Sequence, residues 1–576
     1  MSRNVLSAER LPTEDGILDL EPGETLVIDL ESGGHWFGHG FSHIQPYPLE
    51  TGSISNPNFA VNNIQSPIWM CSAGVAILAE TTRLLDVRLN ENQDGCLRIT
   101  SPDAPLQLRV WQRPTLPEAQ AELLEYLGWP GPLPQPQLFG ESLFCTWTQY
   151  PRSVTQERVL DMACQIRSRG YPCSKLVIDD RWETCFGDLT FSEAFPDPLA
   201  MSAELHRLGF QMWLWVTPFV NQEAACFQEL SRSGVLVPHR NGGGAAVFPW
   251  WGGTAGLIDV TAPAGRQWFR KKLQALKTEC GVDGFKIDGG DFKYQPSPDI
   301  AAWNDYAGES SYSDALLSLF EEIAPMACES RTAWLSQRRA ILWREGGKDS
   351  HWGLDNGLSA MVTLALHLGL VGYDILIPDM VPGRVQTLKA DHPLPSDELM
   401  IRWTEATAFM PLMQFSYFPW NYCAQTEQIV RAYAWLHKRL QPYIVEQSHG
   451  RRAPLIRPIW YDAPGSEELF TVADEYMLGS DLLAAPVLKN GSIERDVLLP
   501  PGDWTDAWTG KPVDAGFHPG HPSPCPGIPV FVRSHRMDLI SLLSEALSEI
   551  PRGSMSSGQV STTYSAGLDR DIDVTG

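Results

Sequence analysis

The sequence predicts an α/β fold, a (β/α)8 barrel set between two β-sandwiches, and three observations predict it. Strand-like apolar runs alternate with amphipathic helical runs over residues 138–442, the signature of parallel strands joined by helical crossovers. Short alternating strands punctuated by turn residues fill the chain before that stretch and return after it. The 576 residues leave room for about three or four domains of ordinary size.

Taken in order, residues 1–137 form the first sandwich, with strands at TLVIDL (25–30), VAILAE (75–80), LLDVRLN (84–90) and LQLRVWQR (106–113). The Pro/Gly run GWPGPLPQP (128–136) is a rigid linker that ends it. The barrel of residues 138–442 opens with FCTWT and continues with ERVLDMACQIRSRGY, KLVIDD, AMSAELHRLGF and QMWLWVTPF. Further along come RQWFRKKLQALKTECG, GFKID and AILWR. Residues 443–550 return to short strands, LIRPIWYD, YMLGSDLLAAPVL, RDVLLPPG and IPVFVR, and make the second sandwich. Residues 551–576 are small and polar and read as a disordered tail.

Charge narrows the partners. Lys and Arg total 44 against 69 Asp and Glu, a net charge of −25, which argues against nucleic acid, an anionic membrane surface or a polyanionic substrate. The longest apolar stretch, Met361 to Ile377, is interrupted by His367 and Asp374 and is too short to span a bilayer. The eleven cysteines are scattered, with no CxxC pair and no Cys/His cluster, so neither metal nor cofactor is expected. The first residues, MSRNVLSAERLPTEDG, hold no apolar leader, and the expected setting is cytoplasmic. The 21 tryptophans suit either large cores or a surface that stacks on flat sugar faces.

In such a barrel, chemistry gathers at the C-terminal strand ends. Three strand ends carry suggestive residues: Asp179 and Asp180 in KLVIDDRWE, Lys286 and Asp288 in GFKIDGGD, and Arg344 followed by Trp352 and Asp355 in AILWREGGKDSHWGLDN. Period two puts Lys286 and Asp288 on one face, opposite Phe285 and Ile287. A lone Asp at a strand end commonly caps a turn. Several carboxylates at strand ends beside Trp-rich loops are instead what glycoside cleavage requires. An oxocarbenium-like transition state needs one carboxylate beneath the anomeric carbon and an acid beside the leaving oxygen.

At these residues the chain resembles glycoside hydrolase family 31, and within it the branch that holds the myogenesis-regulating glycosidase and bacterial α-galactosidases. The blocks LVIDDRWETCFGDLTFSEAFPDP, LHRLGFQMWLWVTPFVN, WWGGTAGLIDVTAP, GFKIDGGD, REGGKDSHWGLDN and RWTEATAFMPLMQFSYFPW follow in family order over residues 140–440. The resemblance implies Asp288 as catalytic nucleophile and Asp355 as general acid/base. It implies Asp179, Asp180, Lys286 and Arg344 around the sugar, with Trp215, Trp250 and Trp251 as aromatic walls; Trp352, on the loop beside Asp355, is counted among the substrate residues. Where many members have Arg-x-His this chain has Gln414-Phe415-Ser416, which removes an imidazole and agrees with the galactosidase-like branch; Gln414 and Ser416 then join the substrate residues. Asp291 stands where that branch usually has Glu.

The implied reaction is hydrolysis of a small α-linked oligosaccharide or glycoside with retention, α-galactoside first and α-glucoside second. Asp288 forms a β-glycosyl ester while Asp355 gives and then takes a proton. Lys286 is expected to help keep Asp288 ionised. Asp355 is expected in a loop shielded from solvent beside Trp352. A catalytically silent carbohydrate-binding protein on the same fold is the alternative from another class, and a homo-oligomer is left open.

Overall fold

The computed structural model describes residues 5–7, 11–30, 34–42, 44–56, 63–82, 85–101, 104–129, 135–297, 299–302, 311–384, 394–450 and 452–551. All but the first residue of the expected tail and most of the Pro/Gly linker lie outside these.

The central sheet is parallel throughout and runs Leu143–Cys145, Lys175–Ile178, Gln211–Val216, Gly284–Ile287, Cys328–Ser330 and Leu342–Arg344. The seventh position is split. Leu376–Ile377 pairs with the sixth strand, whereas Met380–Val381 pairs with Gln414–Phe415, the eighth, which pairs in turn with the first. Pro378 and Asp379 separate the two halves, so they are one interrupted strand and the ring closes at eight. Asp379 takes a left-handed φ of 56° there, and this turn aims its carboxylate inward, at the Lys348 N–H (2.8 Å) and at Arg344 (3.4 Å).

Helices follow seven of the eight strands: Gln156–Ser168, Pro198–Arg207, Pro263–Cys280, Tyr312–Ile323, Leu358–Leu370, Asp397–Ala408 and Ala424–Ser448. Their starts are written in the sequence. Thr155, Asp197, Ser311 and Ser396 each accept a hydrogen bond from the backbone N–H three residues on, and Pro198 and Pro263 occupy first helical positions. The fifth strand differs: residues 331–341, which follow it, form a helix-free loop that delivers Arg331 to the top of the barrel. The last barrel helix runs on through Pro442 to Ser448, past the expected boundary at 442.

Two five-stranded sheets precede the barrel, and all four strands expected there are present, as Thr25–Asp29, Val75–Glu80, Asp86–Leu89 and Leu106–Gln112. A six-stranded sheet and a two-stranded ribbon follow the barrel. Helices Leu116–Leu127 and Met537–Ser548, which the strand pattern did not announce, close the two flanking regions. No helix among the described residues is long and apolar enough to cross a membrane.

The barrel interior is charged. Lys175 pairs with Glu329, both wholly buried, and its ammonium sits 3.8 Å from the Trp213 ring centroid. Glu329 also faces Arg344 at 3.6 Å. Breaking such a pair on one side strands a buried charge, at a cost of about 3–5 kcal/mol. Lys175→Met should therefore lower the midpoint of urea unfolding sharply. Adding Glu329→Gln, which removes the stranded charge, should recover part of that loss.

Candidate active site

The C-terminal ends of neighbouring barrel strands bring Asp179, Asp180, Trp215, Lys286 and Asp288 together, because register pairs Trp215 with Lys286 and Lys286 with Glu329. Asp288 is the most heavily held. Its Oδ2 accepts from the Trp215 indole N–H at 2.8 Å, its Oδ1 accepts from its neighbour Gly289 N–H at 3.0 Å, and the Arg331 Nε donates to the same Oδ1. Burial by itself raises this carboxyl. The charges of Arg331 and Arg344, with the hydrogen bonds from Trp215 and Arg331, outweigh it and hold Asp288 at about 2.

The cation of Asp288 is thus Arg331, not Lys286. Lys286 points to Asp179 instead (2.6 Å) and also touches the Cys145 thiol, which itself lies 3.1 Å from the same Asp179 oxygen. Burial lowers Lys286, but the Asp179 charge wins and keeps it above the ordinary lysine range. Lys286 lies two residues before Asp288, but the carboxylate it contacts is at the end of the second strand, one strand beyond its neighbour.

Asp180 carries no such cation. Its backbone N–H donates to Asp179 Oδ1 (3.0 Å), while its own Oδ1 is buried without a hydrogen-bond partner. Burial, with the Asp179 charge next, pushes Asp180 up to about 8, against the pull of Arg181. Asp291, also buried, is raised to about 6 by burial, opposed by Arg331 and the main chain of Asn63.

The aromatic residues divide. Trp215 is a buried donor rather than a wall. Trp250 is buried, its N–H given to Asn221 (2.8 Å), and meets Trp251 edge-on. Trp251 is 42% exposed and lies over Arg331, 5.2 Å from ring centroid to guanidinium. Trp352 is half-buried, and its carbonyl accepts from the Ser359 hydroxyl at 2.6 Å. Arg344 is buried between Glu329 and Asp379. Ser416 accepts from the Thr148 N–H (2.7 Å) at the rim. Gln414 lies deeper: it pairs with Leu143, level with Lys175, and its buried amide has no partner.

Asp355 departs from expectation. Its side chain is 75% exposed, 3.7 Å from His351 Nδ1, on a loop that turns back through the left-handed Asn356. Trp352 does not screen it from solvent, because the loop is pinned from below, by Asp349 and Ser359, and leaves its tip outside.

Residues 132–447 match the Glycosyl hydrolases family 31 TIM-barrel domain, 452–537 the family's C-terminal domain, and 22–110 the Myogenesis-regulating glycosidase N-terminal domain. The chain belongs to glycoside hydrolase family 31. Among its family 31 relatives, the mouse myogenesis-regulating glycosidase (Mus musculus) is 30% identical over 510 residues, 82% of this chain and 71% of that protein. The 1,3-alpha-isomaltosidase of Kribbella flavida is 30% identical over 381 residues, 60% of this chain and 50% of its own. In fold, the xylosidase from Aspergillus niger superposes with a TM-score of 0.75 at 22% identity, over 93% of this chain and 82% of that one.

Within this family 31 site, sequence reading missed Arg331, Asn63 and Glu329. The fifth strand, Cys328–Ser330, has no apolar run to announce it. Counting would have found it, since eight strands require one more between GFKID and AILWR. Asn63 has no local signal at all. Removing the charge from Arg331 should let burial dominate Asp288 and raise its pKa. Arg331→Gln should accordingly move the acid limb of kcat/KM upward by at least about one pH unit, read from a pH–rate profile.

Proposed function

We propose that this family 31 protein is a retaining α-glycoside hydrolase that prefers α-galactosides. The observation that carries the chemistry is Asp288: a carboxylate at a barrel strand end, buried yet held ionised by Arg331 and Trp215. An ionised, desolvated and oriented carboxylate is what attack on an anomeric carbon demands. Asp355 acts as acid and then base from the exposed loop, where a leaving-group oxygen arrives and where water enters for the second step.

The preference for galactose rests on Asp180. Galactose and glucose differ in one hydroxyl, so the choice needs a polar group that one epimer satisfies and the other leaves bare. Asp180 is buried, holds an unpartnered oxygen and is beside Asp179, which Lys286 keeps as a fixed acceptor. At neutral pH Asp180 is a carboxylic acid, able to donate to one sugar oxygen and accept from a hydroxyl. A site built this way rejects the wrong epimer by up to ~10⁴-fold. A second reading, an α-glucoside substrate, draws on the 30% identity to a 1,3-alpha-isomaltosidase.

Hydrolysis of matched 4-nitrophenyl α-galactoside and α-glucoside decides the sugar, and a clear preference for the glucoside overturns the galactoside reading. Asp288→Asn should abolish turnover of both while the protein still unfolds cooperatively, at a lower temperature than wild type because Arg331 loses its carboxylate. The pH dependence carries a separate expectation. Above about 8 Asp180 ionises beside Asp179 and Asp288, so kcat/KM for the preferred glycoside should fall as pH rises through that value. Asp180→Asn cannot ionise and should lose this alkaline fall.

A further inference from the structure

We infer that Asn63, a residue of the N-terminal sandwich, is a positioning residue for the reaction: its amide orients Arg331 upon Asp288, and Gly346 is the gap in the barrel rim that admits it. In its kinetic part the inference rests on the reading of Asp288 as nucleophile.

Arg331 is held on three sides. Its Nε donates to Asp288, its Nη1 donates to Asn63 Oδ1 at 2.7 Å, and its plane lies near the Trp251 ring. A guanidinium is a rigid fork of five N–H donors, so fixing two of its edges on acceptors from different elements fixes its orientation. One acceptor alone leaves it free to pivot. Because Arg331 comes from a helix-free loop, the barrel supplies no regular element to hold it.

Residue 63 is built for this task. Its φ is 77°, in the left-handed region, where asparagine is tolerated better than most residues and which a residue other than glycine keeps only when the surroundings impose it. The surroundings do so. A Cβ on Gly346, two residues beyond the sixth strand, would lie 2.2 Å from Asn63 Oδ1, so only glycine leaves room for the amide. The docking that brings Asn63 there is broad: Trp334 donates to Thr81 O (2.7 Å), the Gln45 N–H to Leu354 O (3.2 Å), and the Gly38 N–H to His367 (3.1 Å).

The chemistry also explains an amide rather than a carboxylate. Arg331 already faces two carboxyl groups, Asp288 and the buried Asp291, and a neutral acceptor orients it without adding a third claim on its charge. An aspartate of the same shape at position 63 would divide that charge.

The experiment measures kcat, KM and the acid limb of kcat/KM on the preferred 4-nitrophenyl α-glycoside, with thermal unfolding as a control for folding. Asn63→Ala should lower kcat about ten- to a hundredfold with KM within about twofold. The isosteric Asn63→Asp should raise the acid limb by about one pH unit. Gly346→Ala should mimic Asn63→Ala, and Asn63→Ala/Gly346→Ala should be no slower than Asn63→Ala, because the space is then empty. Unchanged kcat, an unmoved acid limb in Asn63→Asp, or additive losses in the double variant would overturn the inference. So would a crystal structure of Asn63→Ala in which Arg331 keeps its place on Asp288, a readout independent of turnover. Should wild type cleave neither glycoside, the functional reading fails, and that crystal structure still decides the role of Asn63.

Discussion

Charge neutrality inside the barrel is the constraint from which the site follows. Lys175, Lys286 and Arg344 project into an interior closed to water, and each must find a carboxylate. Lys175 takes Glu329, Arg344 lies between Glu329 and Asp379, and Lys286 takes Asp179. Left unpaired, any of these charges would cost several kcal/mol. Once these pairs form, no barrel lysine remains for Asp288. The Arg344 charge helps to hold it ionised, but its contacting cation comes from outside the strands, Arg331 on the loop after the fifth strand. The split seventh strand belongs to the same scheme, since the backbone turn at Asp379 is what delivers the carboxylate that Arg344 requires.

That allocation explains where the sequence was legible. The barrel, the flanking strands and the residues at the ends of the second, fourth and sixth strands were readable, because long apolar runs end at polar residues with a fixed period. Pairing was not readable. Lys286 lies two residues before Asp288, yet the partner it selects is decided by the second strand 107 residues earlier. The fifth strand was invisible because its three residues, Cys328, Glu329 and Ser330, serve the interior charge pattern rather than an apolar core. Asn63 was beyond reach for a further reason: its contact spans 268 residues and depends on how two domains dock. Gly346, inside the quoted REGG block, was visible as a glycine without any hint of what it made room for.

The two carboxylates proposed for the chemistry sit in opposite environments, and the backbone accounts for the difference. Asp288 follows a strand whose neighbours on both sides donate to it, so its desolvation is compensated on the spot. Asp355 stands on a loop pinned at its base and open at its tip, 75% exposed. Buried carboxylates lose the freedom to exchange protons with water; exposed ones keep it. A nucleophile gains from the first condition, because its charge is undiluted by solvent and aimed by fixed donors. A residue that must deliver a proton and then recover one from an incoming water gains from the second. Asp180 completes the contrast as a carboxyl that is buried like Asp288 but in which burial and the Asp179 charge outweigh the pull of Arg181 and Lys286, which raises it to about 8. Asp288 and Asp180 are thus two buried carboxyl groups in opposite states, and the distribution of arginine and lysine around them, rather than the carboxyl groups themselves, sets which is which.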